Sequence, residues 1–297
     1  MQNNMLVTII CLCYNHDSFV IEALMSVINQ SYKNIELIVV DDYSTDNSRV
    51  TIENWLKNYP EIQFIANDVN LGNTKSFNNA LKIAKGKFII DLAADDVLLQ
   101  NAIAMQINGF EKSTYDNLAI VYGNAELITE SGCFKSYYFE VDAQKKVIKK
   151  RPKGDIYANI LSGGVSICSV SAMVKKEVYD ILNGYDEDLY YEDLDFWIRA
   201  SRNYQFDFVD EIIIQKRTVE NSLGSLFYKK NDVRSKKINF STYLILKKTL
   251  HLNKTKEENK AVLKRIHFEM ILNLKNKNFR LLFRYLILEV KIRLRLF

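Results

Sequence analysis

Short apolar runs alternate with amphipathic segments along the first hundred residues. Each run is bounded by polar or turn-forming residues, which is typical of strands covered on both faces. Ser, Thr, Asn or Asp precede the amphipathic segments and can cap helices. The predicted strands are 6–13, 36–40, 62–66 and 88–90, and the predicted helices are 19–30, 44–56 and 76–84. This alternation predicts an α/β fold, with a mostly parallel central sheet and helices on both faces.

The alternation is less regular after residue 100, and turn signals become longer. The elements predicted there are helices over 102–110 and 176–182, strands over 119–122, 169–174 and 206–214, and an exposed loop or hairpin over 130–155. Beyond residue 221 the chain is helical in pattern and basic. We therefore predict one large domain over 1–220 and a basic helical C-terminal region over 221–297.

Charge divides the chain at nearly the same place. Residues 216–297 carry 21 Lys and Arg against six Asp and Glu, whereas residues 1–215 carry 19 against 30. In the last predicted helix the basic residues share one face, namely Arg280, Arg284, Lys291 and Arg295. Apolar residues lie largely opposite, at Leu282, Phe283, Leu286, Ile287, Val290 and Leu294. Such a helix suits an anionic bilayer surface. The structural alternative is a helix that packs on the large domain and keeps a solvated basic face.

Several common classes of protein lack support in this sequence. No apolar stretch is long enough to predict a membrane-spanning helix, and the N-terminus has no signal-peptide pattern. The four cysteines have no metal-binding spacing, so they are predicted to be free buried thiols in a reducing, cytoplasmic setting. Neither GxGxxG nor GxxxxGK[ST] is present, which argues against a dinucleotide Rossmann enzyme and a P-loop NTPase. No nucleic-acid module is visible, and no nucleic-acid partner is expected.

Three acidic pairs carry the candidate chemistry. Asp41-Asp42 and Asp95-Asp96 each follow an apolar run, and Glu192-Asp193 precedes a helical stretch. Desolvating a carboxylate costs several kcal/mol unless a partner compensates it. Open α/β sheets bind ligands at the carboxyl ends of their strands, where the first two pairs fall. The pairs therefore indicate a site that holds a cation, a nucleotide and a general base.

Six short motifs occur in a fixed order and together resemble a known family. They are VTIICLCYN at 7–15, VVDDYSTD at 39–46, NLG at 70–72, AKGK at 84–87, LAADD at 92–96, and GYDE followed by YEDLDFWIR within 184–199. The order and spacing resemble the family 2 glycosyltransferases with the GT-A fold, over about residues 5–225. This resemblance implies an inverting, metal-dependent transferase. Residues 1–100 would form its nucleotide-sugar-binding half and residues 101–220 its acceptor-binding half.

The resemblance assigns roles on the donor side. It places Asp42 on the nucleobase, with UDP as the expected nucleotide, and Asp95 on the ribose. Asp96 would hold Mn²⁺ or Mg²⁺, both of which take carboxylate and phosphate oxygens. Tyr14 could stack on the base and Lys75 could reach the diphosphate. The structural alternatives are an acidic turn residue for Asp42, a solvated loop pair for Asp95 and Asp96, packing for Tyr14, and a solvated helix-start lysine.

The acceptor side follows from the same resemblance. Asp193 matches the catalytic base that takes the proton of the acceptor hydroxyl, and Glu192 would orient the acceptor. Gly163 and Gly164 lie where the acceptor pocket is expected, because small residues let a sugar approach the backbone. The alternatives are a helix-capping acidic pair and a flexible turn. Many family members carry a histidine where this chain has Val219, so a third contact to metal or phosphate is in doubt.

The predicted function is therefore sugar transfer from a nucleoside-diphosphate sugar to a hydroxyl of a glycan or lipid-linked glycan, in surface polysaccharide biosynthesis. The expected location is the cytoplasm, with peripheral contact to the inner face of the cell membrane through 279–297. One alternative is a non-catalytic nucleotide-sugar-binding or scaffold protein with a degenerate transferase fold. A nucleotidyltransferase is a second alternative, although its glycine-rich basic loop is absent.

Overall fold

Nine strands of the part of the chain that the structure describes join in one sheet. This structure is a computed structural model, and it describes residues 5–164, 167–219 and 232–296. The strands are β1 Val7–Cys13, β2 Ile35–Asp41, β3 Gln63–Ala66, β4 Phe88–Ala93, β5 Val97–Leu98, β6 Leu118–Ile128, β7 Phe134–Tyr137, β8 Met173–Lys175 and β9 Gln205–Arg217. Their order in the sheet is β3-β2-β1-β4-β8-β6-β9-β5, and β7 pairs with β6.

Ten α-helices accompany the sheet within the same described ranges. They are α1 Val20–Ile28, α2 Ser48–Leu56, α3 Asn73–Ile83, α4 Ala102–Lys112, α5 Tyr157–Ser162, α6 Lys176–Leu182, α7 Glu192–Ser201, α8 Val233–Leu252, α9 Lys256–Lys275 and α10 Phe279–Arg293. The predicted α/β class with a helical C-terminal region is confirmed. Part of that predicted region, residues 221–231, lies outside the described residues.

The first four strands are parallel and form the predicted β-α-β succession. β1 pairs with β2 and with β4, and β2 pairs with β3. All residues of β1 except Leu12 are buried, which explains the uninterrupted apolar run. The register aligns Cys13 with Asp41 and Asp41 with Ala66, so the carboxyl ends of these strands share one edge. The loops that follow these strands therefore begin at the same edge of the sheet.

The second half of the sheet is mixed rather than parallel. β8 lies antiparallel between β4 and β6, while β9 runs parallel to β6 and antiparallel to β5. The polar segment after β6 folds back as β7 and forms a hairpin with it, which fulfils one of the two alternatives predicted for 130–155. The expectation of a mostly parallel sheet thus describes the first four strands and the β6–β9 pair.

Two local predictions need correction. The predicted strand 169–174 is a 3₁₀ turn, Ser169–Ser171, followed by the three-residue strand β8. The buried Ser171 hydroxyl lies 2.9 Å from the carbonyl oxygen of Gly123 and 2.8 Å from that of Cys168, and such local bonds favour a turn over a ladder. Cys133 is exposed and not buried, because it follows the hairpin turn at Gly132.

Contacts divide the described residues into two units. The first, called the sheet unit, comprises those within Met1–Gly154, Ile167–Glu187 and Gln205–Thr218. The second, called the helical unit, comprises those within Asp155–Ser166, Asp188–Tyr204 and Val219–Phe297. Two segments of the predicted 1–220 domain, one with Gly163 and the other with Asp193, therefore group with the C-terminal helices.

Candidate active site

Two loops at the carboxyl edge of the sheet are tied to each other by side-chain-to-backbone hydrogen bonds. Asn15 has a left-handed backbone, φ 57°, a conformation that asparagine tolerates better than most residues. Its side-chain oxygen accepts the N–H of Thr45 at 2.7 Å. In return, a carboxylate oxygen of Asp46 accepts the N–H of Asp17 at 3.1 Å. These residues of the YN and DDYSTD motifs therefore fix the shape of the edge.

The Asp42 carboxylate is buried and engaged by donors from the chain itself. Its Oδ1 accepts from the side-chain amide of Asn67 at 2.8 Å, the N–H of Leu71 at 2.8 Å and the hydroxyl of Ser76 at 2.9 Å. Its Oδ2 accepts from the N–H of Gly72 at 2.8 Å. Asp42 thus fixes the turn at the start of α3. A contact with a nucleobase remains a prediction, and Oδ2 has the fewer internal donors.

Aromatic and basic groups at the same edge are open to solvent. Tyr14 and Tyr43 are 45% and 49% exposed, and Lys75 is exposed on the first turn of α3. Tyr43 has φ 63°, which is uncommon for a bulky residue. The sequence arguments did not single out Tyr43, and the available signal was its position directly after the Asp41-Asp42 pair. Both rings are accessible for stacking on a base.

The acidic pair Asp95-Asp96 follows β4 at this edge. Asp96 is only 2% exposed, and its Oδ1 accepts the N–H of Arg217 at 2.8 Å. Burial raises the pKa of Asp96 to about 7, and the neighbouring Asp95 charge adds to this effect although Lys216 opposes it. Within the described part of the chain, Asp96 is therefore neither solvated nor neutralised by a direct salt bridge, whereas Asp95 is partly exposed. The burial of Asp96 contradicts the solvated-loop alternative for that residue.

The donor chemistry of this pair fits a hard divalent cation. Within the described residues, no group of three or more His, Cys, Asp or Glu side chains is placed to hold a metal. Asp95 and Asp96 offer two carboxylates, and Mg²⁺ sites typically combine one or two carboxylates with phosphates and water. His16 lies beside the pair, with its Nδ1 3.9 Å from Asp95 Oδ1, and this nitrogen is buried without a hydrogen bond.

Arg217 holds the acidic loop in place, and the sequence arguments missed it. The side chain is 4% exposed. Its Nε donates to the carbonyl oxygen of Asp95 at 3.0 Å, and one terminal nitrogen donates to the carbonyl oxygen of Glu130 at 2.8 Å. The other terminal nitrogen pairs with the Glu22 carboxylate at 2.6 Å. A planar guanidinium with several donors can satisfy all these acceptors at once.

Residues 192–193 open helix α7 in the helical unit. Tyr191 is the N-cap, so Glu192 and Asp193 are the first helical residues and not caps. Both are partly exposed, and Asp193 Oδ1 accepts the N–H of Leu194 at 2.6 Å. The helix N-terminus favours the ionised form of carboxylates in its first turn.

Helix α7 is anchored by charged contacts to the C-terminal helices. Asp195 is 1% exposed and accepts from Arg199 at 2.6 Å and from Lys248 of α8 at 2.7 Å. The N–H of Tyr190, just before the helix, donates to the Ser241 hydroxyl at 2.9 Å. The basic C-terminal region therefore fixes the helix that carries Asp193, a relationship that the charge pattern alone did not indicate.

The two glycines of the expected acceptor pocket differ from each other. Gly163 has φ +78°, and a Cβ added there would lie 2.7 Å from the Cδ of Arg265. Arg265 is held in turn by Glu269 at 2.7 Å, so packing alone requires glycine at 163. Gly164 has φ +84°, and no atom of the described residues lies within 4 Å of a Cβ added there. Of the two, Gly164 has the space that an incoming ligand would need.

The order of strands, edge loops and acidic pairs agrees with the result of comparing the chain with known protein families. Residues 8–178, more than half of the sequence, match the family model described as Glycosyl transferase family 2. The chain belongs to this family. The predicted membership and the predicted glycosyltransferase activity are thereby confirmed.

Relatives of this family 2 chain occur in several bacteria. An uncharacterized glycosyltransferase of Haemophilus influenzae is 29% identical over 251 residues, which covers 82% of this chain and 76% of the relative. The UDP-Glc:alpha-D-GlcNAc-diphosphoundecaprenol beta-1,3-glucosyltransferase WfgD of Escherichia coli is 36% identical over 126 residues, covering 42% of this chain and 48% of WfgD. The chain is thus similar to glycosyltransferases that include one with a lipid-linked acceptor.

Solved structures with low sequence identity share the fold. S. aureus TarS 1-349 in complex with UDP-GlcNAc superposes with a TM-score of 0.66 at 18% identity, covering 87% of this chain and 70% of TarS 1-349. The mannosyltransferase PcManGT from Pyrobaculum calidifontis, in complex with GDP-Man and Mn²⁺, gives a TM-score of 0.59 at 17% identity. It covers 95% of this chain and 73% of PcManGT. The predicted GT-A-like architecture is therefore confirmed.

The family 2 assignment leaves the roles of the individual residues as predictions. The sheet unit carries Tyr14, Asp42, Lys75, Asp95 and Asp96 on loops or helix starts that follow its parallel strands. The helical unit carries the remaining predicted residues, Gly163, Gly164, Glu192 and Asp193. The donor-side set and the acceptor-side set thus fall in different units.

Proposed function

We propose that the chain is a metal-dependent, inverting glycosyltransferase that uses a UDP-linked sugar. The observation that carries this proposal is the Asp95-Asp96 pair at the carboxyl edge of the sheet, in which Asp96 is buried and both residues are held by Arg217. No described residue forms a direct salt bridge with Asp96, and a divalent cation would compensate its charge when it is ionised. The diphosphate of a nucleotide sugar would complete the cation's ligands.

On the donor side, Asp96 would hold Mn²⁺ or Mg²⁺ and Asp95 would contact the ribose. The cation, when bound, neutralises charge on the departing nucleoside diphosphate. Lys75, exposed on the first turn of α3, has the reach to approach the diphosphate. The exposed Tyr14 ring can stack on the base, and Asp42 would accept from its ring N–H. TarS with UDP-GlcNAc and PcManGT with GDP-Man and Mn²⁺ share this fold, which supports the choice of donor and metal.

On the acceptor side, Asp193 would act as the general base. The acceptor oxygen forms a bond to the anomeric carbon while the bond to the diphosphate breaks, and the hydroxyl proton passes to Asp193. This single displacement inverts the anomeric configuration and needs no covalent intermediate. Glu192 would orient the acceptor and Gly164 would leave room beside the backbone, whereas Gly163 would serve the packing of Arg265.

The proposed acceptor is a lipid-linked glycan in surface polysaccharide assembly. WfgD, named for transfer to a GlcNAc-diphosphoundecaprenol, is similar to 42% of this chain, which supports this class of acceptor. Such an acceptor would place the enzyme on the inner face of the cell membrane as a peripheral protein. We also propose residues 1–220 as the catalytic domain, divided near residue 100 into donor and acceptor halves, and 221–297 as a region that fixes α7.

A donor panel tests the proposal. The purified chain is incubated with UDP-, GDP- and CDP-sugars, with Mn²⁺ or with EDTA, and release of nucleoside diphosphate and thermal shift are recorded. We expect a UDP-sugar to raise the melting temperature and to release UDP only with the metal. Asp96→Asn should lose both effects, whereas Asp116→Asn, an exposed control, should keep them.

Two outcomes of this panel would contradict the proposal. Equal turnover in EDTA and in Mn²⁺ would exclude a metal-dependent reaction. Tight donor binding with no turnover, even with a mixture of lipid-linked glycans, would favour the alternative of a non-catalytic nucleotide-sugar-binding protein.

A further inference from the structure

Helix α10 has two apolar faces. One is a buried seam through which the helix packs on α9 and α8, formed by Leu281, Tyr285, Leu288 and Ile292. The other lies about 180° away on a helix of 3.6 residues per turn. We call this second face the outer stripe; its residues are Phe279, Phe283, Leu286, Ile287, Val290 and Leu294, each between 43% and 70% exposed. An apolar stripe of this size opposite a packed seam is unusual on a helix facing water.

Cations border the outer stripe. Arg280 and Lys291 are exposed along one margin, and Arg293 is exposed along the other. The single acidic residue of α10, Glu289, accepts from Arg293 at 2.8 Å and lies 2.9 Å from the His267 ring. The margins of the stripe therefore carry an excess of positive charge.

The arrangement differs from the amphipathic helix predicted from the sequence. Arg284 was expected on a solvated basic face, but its guanidinium lies 4.9 Å from the ring centre of Phe240 on α8. The outward face of α10 is mainly apolar, and its exposed cations lie beside the apolar residues and not opposite them. The other three cations of the predicted basic face, Arg280, Lys291 and Arg295, are exposed.

The neighbouring helix α9 also exposes apolar side chains. Phe268 and Ile271 of α9 are 50% and 55% exposed. The contact of His267 with Glu289 places the middle of α9 alongside the second half of α10. Apolar side chains on two packed helices thus face solvent.

We infer that the outer stripe and its basic margins bind the surface of an anionic lipid bilayer. Apolar and aromatic side chains would enter the headgroup–acyl boundary, and the bordering cations would contact acidic headgroups. A second copy of the chain fits less well, because a two-fold contact through this face would bring like charges together. Among the described residues no helix is both long and apolar enough to cross a bilayer, so this surface would lie in the interface.

This inference names the surface that would bind the membrane, and its biological setting rests on the membrane location proposed above. Lipid binding by this surface does not require sugar transfer. The full chain is sedimented with vesicles of phosphatidylcholine, with or without phosphatidylglycerol, in the absence of any donor. We expect binding to the anionic vesicles and weak binding to the neutral ones. The double variant Phe283→Ser with Ile287→Ser should bind anionic vesicles at least about tenfold more weakly than wild type. Its matched control is Val50→Ser with Ile181→Ser, which removes two apolar groups that are 57% and 64% exposed elsewhere.

Charge reversal separates the two parts of the surface. Arg280→Glu with Lys291→Glu should weaken anionic binding on the order of tenfold, while Lys82→Glu with Lys112→Glu, the same charge change at other exposed lysines, should do so much less. Melting temperature and metal-dependent UDP binding should stay unchanged in all four variants, which separates a failed membrane surface from a failed donor site. The inference is overturned if the stripe variants bind like wild type, or if light scattering finds a dimer that the stripe variants dissociate while anionic vesicles do not bind.

Discussion

The Nε atom of Arg217 donates a hydrogen bond to the carbonyl oxygen of Asp95 at 3.0 Å, although the two residues lie 122 positions apart in the sequence. The backbone N–H of the same arginine donates to Asp96 Oδ1 at 2.8 Å. The end of β9 therefore fixes both residues of the acidic pair. Groups that orient metal ligands commonly tune metal affinity as strongly as some ligands do.

Arg217→Met should weaken Mn²⁺ binding in the presence of UDP on the order of 10- to 100-fold. The loss follows because the Asp95 carbonyl and Glu22 lose their donor and the loop is free to move. Arg217→Lys should recover part of this affinity, since it keeps the charge but not the fork of donors. Isothermal titration with Mn²⁺ measures the effect. Arg49→Met, which removes an arginine exposed on α2, is the control. Unchanged Mn²⁺ affinity in folded Arg217→Met would show that the Arg217 side chain has no part in the metal site.

Asp42→Asn should lower the free energy of unfolding by about 1–3 kcal/mol, because an amide cannot accept from four donors as the carboxylate does. Asp68→Asn, an exposed change after the neighbouring strand β3, should have almost no effect. Urea unfolding gives the midpoints for both variants. If Asp42→Asn is as stable as wild type yet loses UDP binding, Asp42 serves the nucleotide alone and does not fix the turn at α3.

The start of α9 should be sensitive to acid through Glu258. Burial by itself would raise the pKa of Glu258, but hydrogen bonds from Arg202 and from the N–H groups of Lys254 and Thr255 lower it below its usual range. A carboxyl with a lowered pKa in the folded state contributes stability above its unfolded pKa, and this contribution is lost as the pH falls through the folded value. Glu258→Gln should therefore cost about 1–3 kcal/mol at pH 7.

That difference should shrink as the pH falls from about 5 towards 3, where wild type also becomes protonated. Denaturant unfolding of both proteins across this pH range measures the difference in stability. The control is Glu257→Gln, which changes an exposed glutamate in the same first turn of α9. A gap between Glu258→Gln and wild type that stays constant down to pH 3 would mean that the charge of Glu258 is not what stabilises the cap.

The sequence was informative wherever a local pattern determines the structure. The apolar run of β1 and the Asp-rich edge after β4 could be predicted because burial on both faces needs continuous apolar residues and carboxylates follow strand ends. The role of Arg217 could not, because its partners come from loops distant in the chain. The 3₁₀ turn at Ser171 also escaped prediction, since a buried hydroxyl outweighed the strand propensity of its neighbours.

The C-terminal region shows the same limit. Its basic composition predicted a helical appendage, and helices are present. That Lys248 would pair with the buried Asp195 of α7 depends on packing between segments 53 positions apart, which no local pattern contains. Likewise, periodicity separated basic from apolar residues on α10, but only the packing of the buried seam shows which apolar residues face outward.

The rate of sugar transfer by the Asp193→Asn variant tests the central claim most directly. The substitution removes the proposed catalytic base and keeps the size and shape of the side chain. The donor identified by the panel is supplied with Mn²⁺ and an acceptor, and product formation and UDP affinity are measured for both proteins. We predict that transfer falls at least about 100-fold while the Mn²⁺-dependent UDP affinity stays within about twofold of wild type. Transfer near the wild-type rate would contradict the assignment of Asp193 as the base and the mechanism proposed around it.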